Sequence, residues 1–438
     1  MNVAFISLGC DKNRVNTEQM MALCVDAGMT LQTQPEDADV VVVNTCGFID
    51  SAKSEAIDVI LEMADLKAQG RLGAILVTGC LSQRYREEML AELPEVDGIM
   101  GTGSYGDIVA AIDEVVQGEK CEHFGDIHAP VAELPRILTT PGHYAYLRIA
   151  EGCSNRCAYC VIPSLRGKYR SRPMEEILQE ARELAESGVK ECIVIAQDIT
   201  RYGVDLYGEK RLPQLLNALC ELDFRWIRLH YLYPDAITDE LLDTIAAQPK
   251  ICHYLDIPIQ HCNDAVLKAM RRRETKAGLL DLFARIRRRI PDIVLRTSII
   301  TGLPFEDEAA FDELCAFLRE VQIQRAGAFP FSPEEGTPAA EMPNRVDGDE
   351  AARRAELVMD VQSDVMDDFN ESRLGTVVTV LCDGWDEEAQ SYVGRSYAES
   401  PGIDGVIYFD APDAHPGDMV RVRITGVMDG DLTGEVEG

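Results

Sequence analysis

The sequence predicts an α/β protein in three parts: an N-terminal parallel α/β domain, a central partial (β/α)6 barrel and a small C-terminal β-barrel. Three observations carry this. Short apolar runs alternate with amphipathic stretches up to about residue 118. A second alternating series, with six strand-like runs, begins after residue 142. Beyond Gly375 the pattern turns to period-two runs broken by Gly, Pro and Asp. Alternating strands and helices specify a parallel sheet with crossover helices, whereas closely spaced period-two runs specify an antiparallel barrel.

The elements follow in order. Val3–Leu8 reads as a strand and Thr17–Ala27 as a helix. Asp39–Val43 is a second strand, followed after Asp50 by a helix through Ile57, Ile60, Leu61 and Ala64. Ala74–Thr78 and Gly98–Met100 are further strands, with helices over Gln83–Leu93 and Ile108–Val116. Residues 119–142 carry Pro130, Pro135 and Pro141 with little periodicity, which suits a linker. The central strands are expected at Ala145–Ile149, Glu191–Ala196, Trp226–His230, Tyr254–Pro258, Val294–Thr301 and Arg325–Phe331, with helices such as Met174–Ser187 and Ala309–Val321 between them. A helix over 349–371 precedes the barrel runs Val377–Leu381, Ser391–Arg395, Val406–Phe409 and Met419–Thr425. The expected domains are therefore 1–118, a linker 119–142, 143–371 and 372–438.

At 438 residues the chain exceeds one ordinary core. Its mean hydropathy of −0.10 and the lack of any apolar run of about 18 residues argue against a membrane span. MNVAFISLGCDKNR has no basic region leading into a long apolar stretch, so a cytoplasmic location is expected. The net charge of −33 repels polyanions and attracts basic polypeptides. An acidic surface that serves only solubility is the plainer alternative.

Fourteen cysteines are many for a compartment where disulfides seldom persist. Cys24, Cys220 and Cys315 lie in helix-like stretches and read as small buried hydrophobes. Two sets of three stand apart. VAFISLGC, DVVVVNTCG and GAILVTGC each place a cysteine, Cys10, Cys46 or Cys80, just past an apolar strand. In a parallel sheet these strand ends share one edge, so the thiols can converge. Three thiolates hold a 4Fe–4S cluster with one iron open, whereas structural zinc normally needs four closed ligands. Three unrelated strand-end cysteines are the alternative. The second set, Cys153, Cys157 and Cys160 in YLRIAEGCSNRCAYCVIPSLRG, follows the first strand of the central series. It also offers three ligands, with a zinc knuckle as the alternative. Tyr159 is placed to pack against a cluster or its ligand.

CxxxCxxC at this position resembles the radical S-adenosylmethionine superfamily, in which the open iron chelates the methionine part and one electron yields a 5′-deoxyadenosyl radical. The whole chain, with its three-cysteine first domain and a C-terminal barrel of TRAM, OB-like type, resembles the methylthiotransferases. The resemblance implies two 4Fe–4S clusters and S-adenosyl-L-methionine. Cys153, Cys157 and Cys160 would hold the radical cluster, and Cys10, Cys46 and Cys80 an auxiliary cluster that supplies sulfur. SLGCDKNRVNTEQM, RIAEGCSNRCAYCVIPSLRGKYRSRP, LDIPIQHCNDAVLKAMRR and GRSYAESPGIDGVIYF are similar to the branch acting on an aspartate of ribosomal protein S-twelve (RimO type). Asp11 departs from it, where proline is more usual. The same chemistry on a tRNA adenosine is the runner-up, and a non-catalytic iron–sulfur or zinc protein that binds ribosomes is an alternative of another class. From Ser372 onward, 4 basic residues face 13 acidic ones, which disfavours tRNA. A low-potential donor such as flavodoxin or ferredoxin is implied, and nothing demands more than a monomer.

Other candidates are weaker. Arg166, Lys168 and Arg170, with Arg172, form a basic loop able to bind a cofactor or substrate carboxylate, unless they are structural. Gln197, Asp198, Gln260 and Gly302 fall at the ends of central strands, where cofactor contacts would sit, and His261 beside them suits a structural hydrogen bond better than proton transfer. Arg271–Arg273, Arg285 and Arg287–Arg289 make one basic island, either a solvated helix face or a contact to RNA. No Ser-His-Asp arrangement, phosphate-binding loop or dinucleotide glycine motif is present.

Overall fold

In the computed structural model, which describes residues 1–411 and 413–437, the first alternating series forms a six-stranded parallel sheet. Its strands are β1 (Asn2–Ser7), β2 (Thr30–Gln32), β3 (Val40–Thr45), β4 (Ala74–Gly79), β5 (Gly98–Met100) and β6 (Cys121–His123), in the order β2-β1-β3-β4-β5-β6. Side chains of a strand alternate between faces. Val40 and Val42 therefore pack with Met20, Ile108 and Ile112 on one side. Val41 and Val43 pack with Ala56, Ile60 and Met63 on the other. A strand covered on both faces must be apolar throughout, and all six residues of β3 are buried.

The chain forms two compact units. The first comprises Met1–Thr139, Arg148–Glu176 and Ser332–Ala340, and so holds both cysteine sets. Besides the sheet it contains a short ribbon of β8 (Ala150–Glu151) and β9 (Arg170–Ser171), which follow β7 (Tyr144–Arg148) in the chain. The second comprises Thr140–Leu147, Ile177–Phe331 and Glu341–Gly438.

In the second unit β10 (Glu191–Ile195), β11 (Trp226–Leu229), β12 (Ile251–Asp256), β13 (Val294–Thr301) and β14 (Arg325–Pro330) continue from β7 as a six-stranded sheet, in the order β14-β13-β12-β11-β10-β7. The pairings from β10 to β14 are parallel, as expected of a partial βα barrel. The helix Gly348–Ser372 leads to a closed five-stranded barrel: β15 (Val377–Asp386), β16 (Ser391–Arg395), β17 (Ile407–Asp410), β18 (Met419–Met428) and β19 (Asp431–Val436). Val380, Cys382, Ile407, Phe409, Val422 and Ile424 fill it. Glu191 of β10 is wholly buried between Arg228 and Arg395, each 2.6 Å away, and Arg395 also reaches Asp383 at 2.8 and 3.0 Å. A buried carboxylate persists when guanidiniums satisfy it this fully.

Several elements differ from expectation; the helix expected over Gln83–Leu93 is split into Cys80–Arg84 and Arg86–Glu92, and β12 starts at Ile251 rather than Tyr254. The helix after β1 runs over Asp11–Asp26 rather than starting at Thr17, because its first turns are buried although polar. The strands β2, β6 and β19 were not expected. β2 and β6 are three-residue edge strands without an apolar run, and β6 lies within the expected linker. β19, DLTGEV, buries mainly Leu432. Cys24, Cys220 and Cys315 are buried, as expected. Among the described residues no helix is long and apolar enough to cross a membrane.

Candidate functional site

Cys10, Cys46 and Cys80 follow β1, β3 and β4, which are neighbours in the sheet, so all three lie off its carboxyl edge. The strand order reverses between β1 and β3, and open α/β sheets place their ligand sites at that point. Cys10 caps the helix Asp11–Asp26, Cys46 sits in the turn before Asp50–Ala68, and Cys80 opens the short helix Cys80–Arg84.

Glycines make the convergence possible. A Cβ on Gly9 would lie 2.7 Å from the Cys46 Cβ, and one on Gly47 would lie 2.9 Å from the Cys80 carbonyl. Gly79 has φ +103°, and a Cβ there would meet the Thr45 carbonyl oxygen at 2.5 Å. The sequences LGC, TCG and TGC therefore bring cysteine-bearing backbones closer than side chains would allow.

Polar residues lace the strand ends together. Asn13 Nδ2 donates to the Leu8 and Thr45 carbonyls, both at 3.0 Å. Asn44 Nδ2 donates to the Asn13 carbonyl at 2.8 Å and to Thr17 Oγ1 at 2.9 Å, and Thr45 Oγ1 donates to the Thr78 carbonyl at 2.6 Å. The thiols also feel one another. Burial first, then the neighbouring Cys80 and Cys10, push Cys46 up to about 12. Burial raises Cys80 as well, against the opposing charge of Arg166. A metal that takes these thiols as thiolates displaces their protons and relieves that cost.

The second set lies in an irregular loop after β8. The Cys153 N–H donates to the Gly167 carbonyl at 3.1 Å, and the Cys160 N–H to the Cys157 carbonyl at 3.2 Å. Gly152 has φ +79°, and a Cβ there would lie 2.3 Å from the Lys168 carbonyl oxygen, so this glycine lets the loop close on itself. Arg156 adopts the left-handed region at φ +57°. All three thiols are half-buried and Tyr159 is buried. Three soft sulfur donors per set, with an exposed or half-buried side, fit a 4Fe–4S cluster with one open iron better than a closed zinc site.

The helix Ile162–Arg166 starts two residues after Cys160, and Val161 and Leu165 pack with Cys80 and Phe48. Its last residue, Arg166, is buried and bonded to Asn13, Asn16 and Glu151, so the expected substrate contact lies inside the unit. Arg170 turns back onto the Arg166 and Lys168 carbonyls at 3.0 and 2.7 Å, while the Lys168 side chain is exposed. Arg172 pairs with Glu133 and donates to the Arg148 carbonyl at 2.6 Å.

In the second unit Asp198, buried at the end of β10, accepts from the Thr200 N–H at 3.0 Å and faces Arg201 at 3.1 Å. Gln197 beside it is half-buried. Gln260 has φ +69° and pairs through its backbone with β13. The Gly302 N–H donates to both Glu306 oxygens, at 3.0 and 2.9 Å, and a Cβ there would lie 2.3 Å from that of Ala351. His261 Nδ1 accepts from the Asn263 N–H at 2.9 Å, which leaves Nε2 facing Glu306 at 3.4 Å, a structural arrangement. In the basic island Arg272, Arg273, Arg285 and Arg289 each have a carboxylate within 3.4 Å, so those four charges are compensated.

Three comparisons bear on this arrangement. Residues 2–101 match the model of the uncharacterized protein family UPF0004, residues 147–318 that of the radical SAM superfamily and residues 374–436 that of the TRAM domain. The ribosomal protein uS12 methylthiotransferase RimO of Lachnoclostridium phytofermentans is 47% identical over 440 residues, covering 100% of each chain. That of Geobacter sulfurreducens is 48% identical over 438 residues, covering 99% of this chain and 98% of its own. The chain belongs to the RimO family of radical SAM methylthiotransferases. The methyltransferase TsrM of Kitasatospora setae, solved with cobalamin and a [4Fe-4S] cluster bound, shares the fold, with a TM-score of 0.58 at 12% identity over 77% of this chain and 76% of its own.

Several residues that shape the RimO-family site escaped the sequence reading: Asn13, Asn16, Asn44, Glu151 and the three glycines beside the cysteines. A signal was present. Asn13, Asn16 and Thr17 fall on one helix face directly after Cys10, and a glycine adjoins each cysteine of the first set.

Proposed function

We propose that this chain replaces a C–H of an aspartate in ribosomal protein S-twelve with a methylthio group, at the β-carbon of that residue. Two 4Fe–4S clusters and S-adenosyl-L-methionine serve the reaction, and when bound they supply a carbon-centred radical and the sulfur. Cys153, Cys157 and Cys160 would hold the radical cluster, with Tyr159 against it. Cys10, Cys46 and Cys80 would hold the auxiliary one. The observation that carries this reading is the pair of three-thiol sites in a single unit, since one alone would leave the reaction unspecified. Around them the chain's own residues exclude water: Phe48, Val161 and Leu165 cover the Cys80 side. Gln197, Asp198, Gln260 and Gly302 are proposed to line the cofactor, and Lys168 to meet the substrate. The domain division at 118, 142 and 371 belongs to the same proposal, as do a monomeric state, a cytoplasmic location and a flavodoxin or ferredoxin as electron donor.

Charge favours protein over tRNA as substrate. Of the four arginines in the barrel segment, Arg373 and Arg395 are buried on carboxylates, and Arg421 and Arg423 share Glu437 at 2.7 and 2.5 Å. Among the described residues of the segment, that leaves one exposed guanidinium charge beside a large acidic excess, too little to displace the counterions of a tRNA. The test offers the anaerobically reconstituted enzyme an S-twelve loop peptide and unmodified tRNA side by side. A mass gain of one methylthio group on the peptide is expected. A gain on the tRNA alone would reverse the choice. One cluster's iron or none, with no deoxyadenosine on reduction, would remove the radical reading altogether.

A further inference from the structure

Arg166 is a cation enclosed in the first unit, 3% exposed, at the end of the helix that follows the second cysteine set. It directly follows Leu165, which packs against Cys80. It is held there by Asn16 Oδ1 at 2.8 Å and by Asn13 Oδ1, both on the helix that Cys10 caps. Glu151 Oε2 stands 3.4 Å away and is shared with Arg148 at 2.8 Å. The Tyr105 ring lies 5.9 Å from the guanidinium carbon, and its buried hydroxyl has no hydrogen-bond partner. A buried guanidinium held this firmly is a fixed positive charge beside the strand ends that carry the first cysteine set.

We infer that Arg166 is a positioning residue for the auxiliary cluster: it braces the helix after Cys10 through Asn13 and Asn16, holds a fixed positive charge beside the ligands and raises the cluster's reduction potential. The inference rests on Cys10, Cys46 and Cys80 as ligands of a 4Fe–4S cluster. Three thiolates give such a cluster a net negative charge that grows on reduction. A fixed guanidinium beside the ligands therefore stabilises the reduced form more, because the charge around the cluster sets the potential. The same arginine sits six residues after Cys160, so one short helix joins the loop of the radical cluster to a ligand of the auxiliary one. This assigns Arg166 away from the substrate.

The experiment is an EPR-monitored redox titration of the full chain, reconstituted anaerobically, in two backgrounds. Cys153→Ala retains the auxiliary cluster alone, and Cys46→Ala the radical cluster alone. In the first, Arg166→Met is expected to reduce at least tenfold less at the unsubstituted midpoint, a fall of about 59 mV for one electron. Arg166→Lys, which keeps the charge without the fork, is expected to fall by less. In the second background neither substitution is expected to move the midpoint. An unchanged auxiliary midpoint in Arg166→Met would overturn the inference. So would equal falls in both backgrounds, or loss of auxiliary iron from both Arg166 variants, which would assign the residue to folding alone. If Cys153→Ala with Arg166 intact holds no cluster, the ligand assignment itself fails, and the iron content reports that before any titration.

Discussion

Gly47→Ala offers the sharpest test of how the first cysteine set converges. The added methyl would lie 2.9 Å from the Cys80 carbonyl carbon and oxygen and from the Leu81 Cα, all of them backbone atoms that cannot rotate away. Ordinary Cβ contacts begin at about 3.4 Å, so Cys80 must retreat by about 0.5 Å. Metal–ligand distances tolerate about 0.2 Å, so the displacement exceeds what a cluster ligand can absorb. Gly47 does not occupy the left-handed region, so the effect is steric and not conformational. The overpacking itself costs about 1–3 kcal/mol, small enough to leave the chain folded. Iron is then counted after anaerobic reconstitution, with deoxyadenosine and methylthio product followed in parallel. Iron is expected to fall from about eight to about four per chain, with deoxyadenosine retained and product lost. Gly142→Ala, where a Cβ meets nothing within 4 Å, serves as control. Full iron and full product in Gly47→Ala would refute the packing argument.

Two further outcomes concern the second unit. Burial raises the Glu191 carboxyl, but Arg395 and Arg228 outweigh it and hold it below the usual range, so Glu191→Gln strands the buried Arg228 and leaves Arg395 on Asp383 alone. It is expected to cost about 3–5 kcal/mol, read as a lower melting temperature and denaturant midpoint. Glu399 is likewise raised by burial yet held at about 2 by Arg373 and Arg325. Its folded value lies below its unfolded one, so its stabilisation is present above about pH 4.5 and lost as pH falls towards 2. The difference amounts to roughly 3 kcal/mol. Glu399→Gln should therefore flatten the acid limb of stability between pH 4.5 and 2, and an unchanged slope in acid-titrated unfolding would contradict the pairing.

How much was legible depended on whether a feature had a period or a spacing. Val40–Val43 and Val294–Thr301 announced themselves as strands because buried parallel strands are apolar throughout. The cysteine sets were visible because the context around Cys10, Cys46 and Cys80 repeats. The polar residues that fix those cysteines were not. Asn13, Asn16 and Thr17 are polar and carry no apolar period, yet they are buried because Asn44, Thr45 and Arg166 satisfy them from elements up to 153 residues away. Such partners exist only after folding. For the same reason the basic loop read as a carboxylate-binding feature with a structural alternative, and Arg166 turns inward.

The charge of −33 acquires a location once the internal ion pairs are set aside. Arg228, Arg325, Arg354, Arg373 and Arg395 are buried on carboxylates, and such pairs add little to the field outside. The excess of acid therefore lies on the surface, and in the barrel segment thirteen acidic residues face four arginines, all paired. The turn after β15 illustrates this. Asp386 caps it by accepting from the Glu388 and Ala389 N–H groups at 2.8 and 2.9 Å, while the Glu387 and Glu388 side chains are exposed. Reversing both as Glu387→Lys and Glu388→Lys leaves the cap intact and changes only the field. An exposed charge contact contributes about 0.2–1 kcal/mol, so the double reversal should weaken binding of a basic S-twelve peptide by roughly two- to thirtyfold at low salt. Screening should erase the difference by about 0.5 M salt, where the Debye length is only a few ångströms. Fluorescence anisotropy across a salt series measures both effects. A peptide affinity indifferent to salt and to the reversal would show that the acidic barrel plays no part in recognition. Tighter binding of tRNA than of peptide to the unsubstituted chain, with the steep salt dependence of counterion release, would turn the substrate assignment towards RNA.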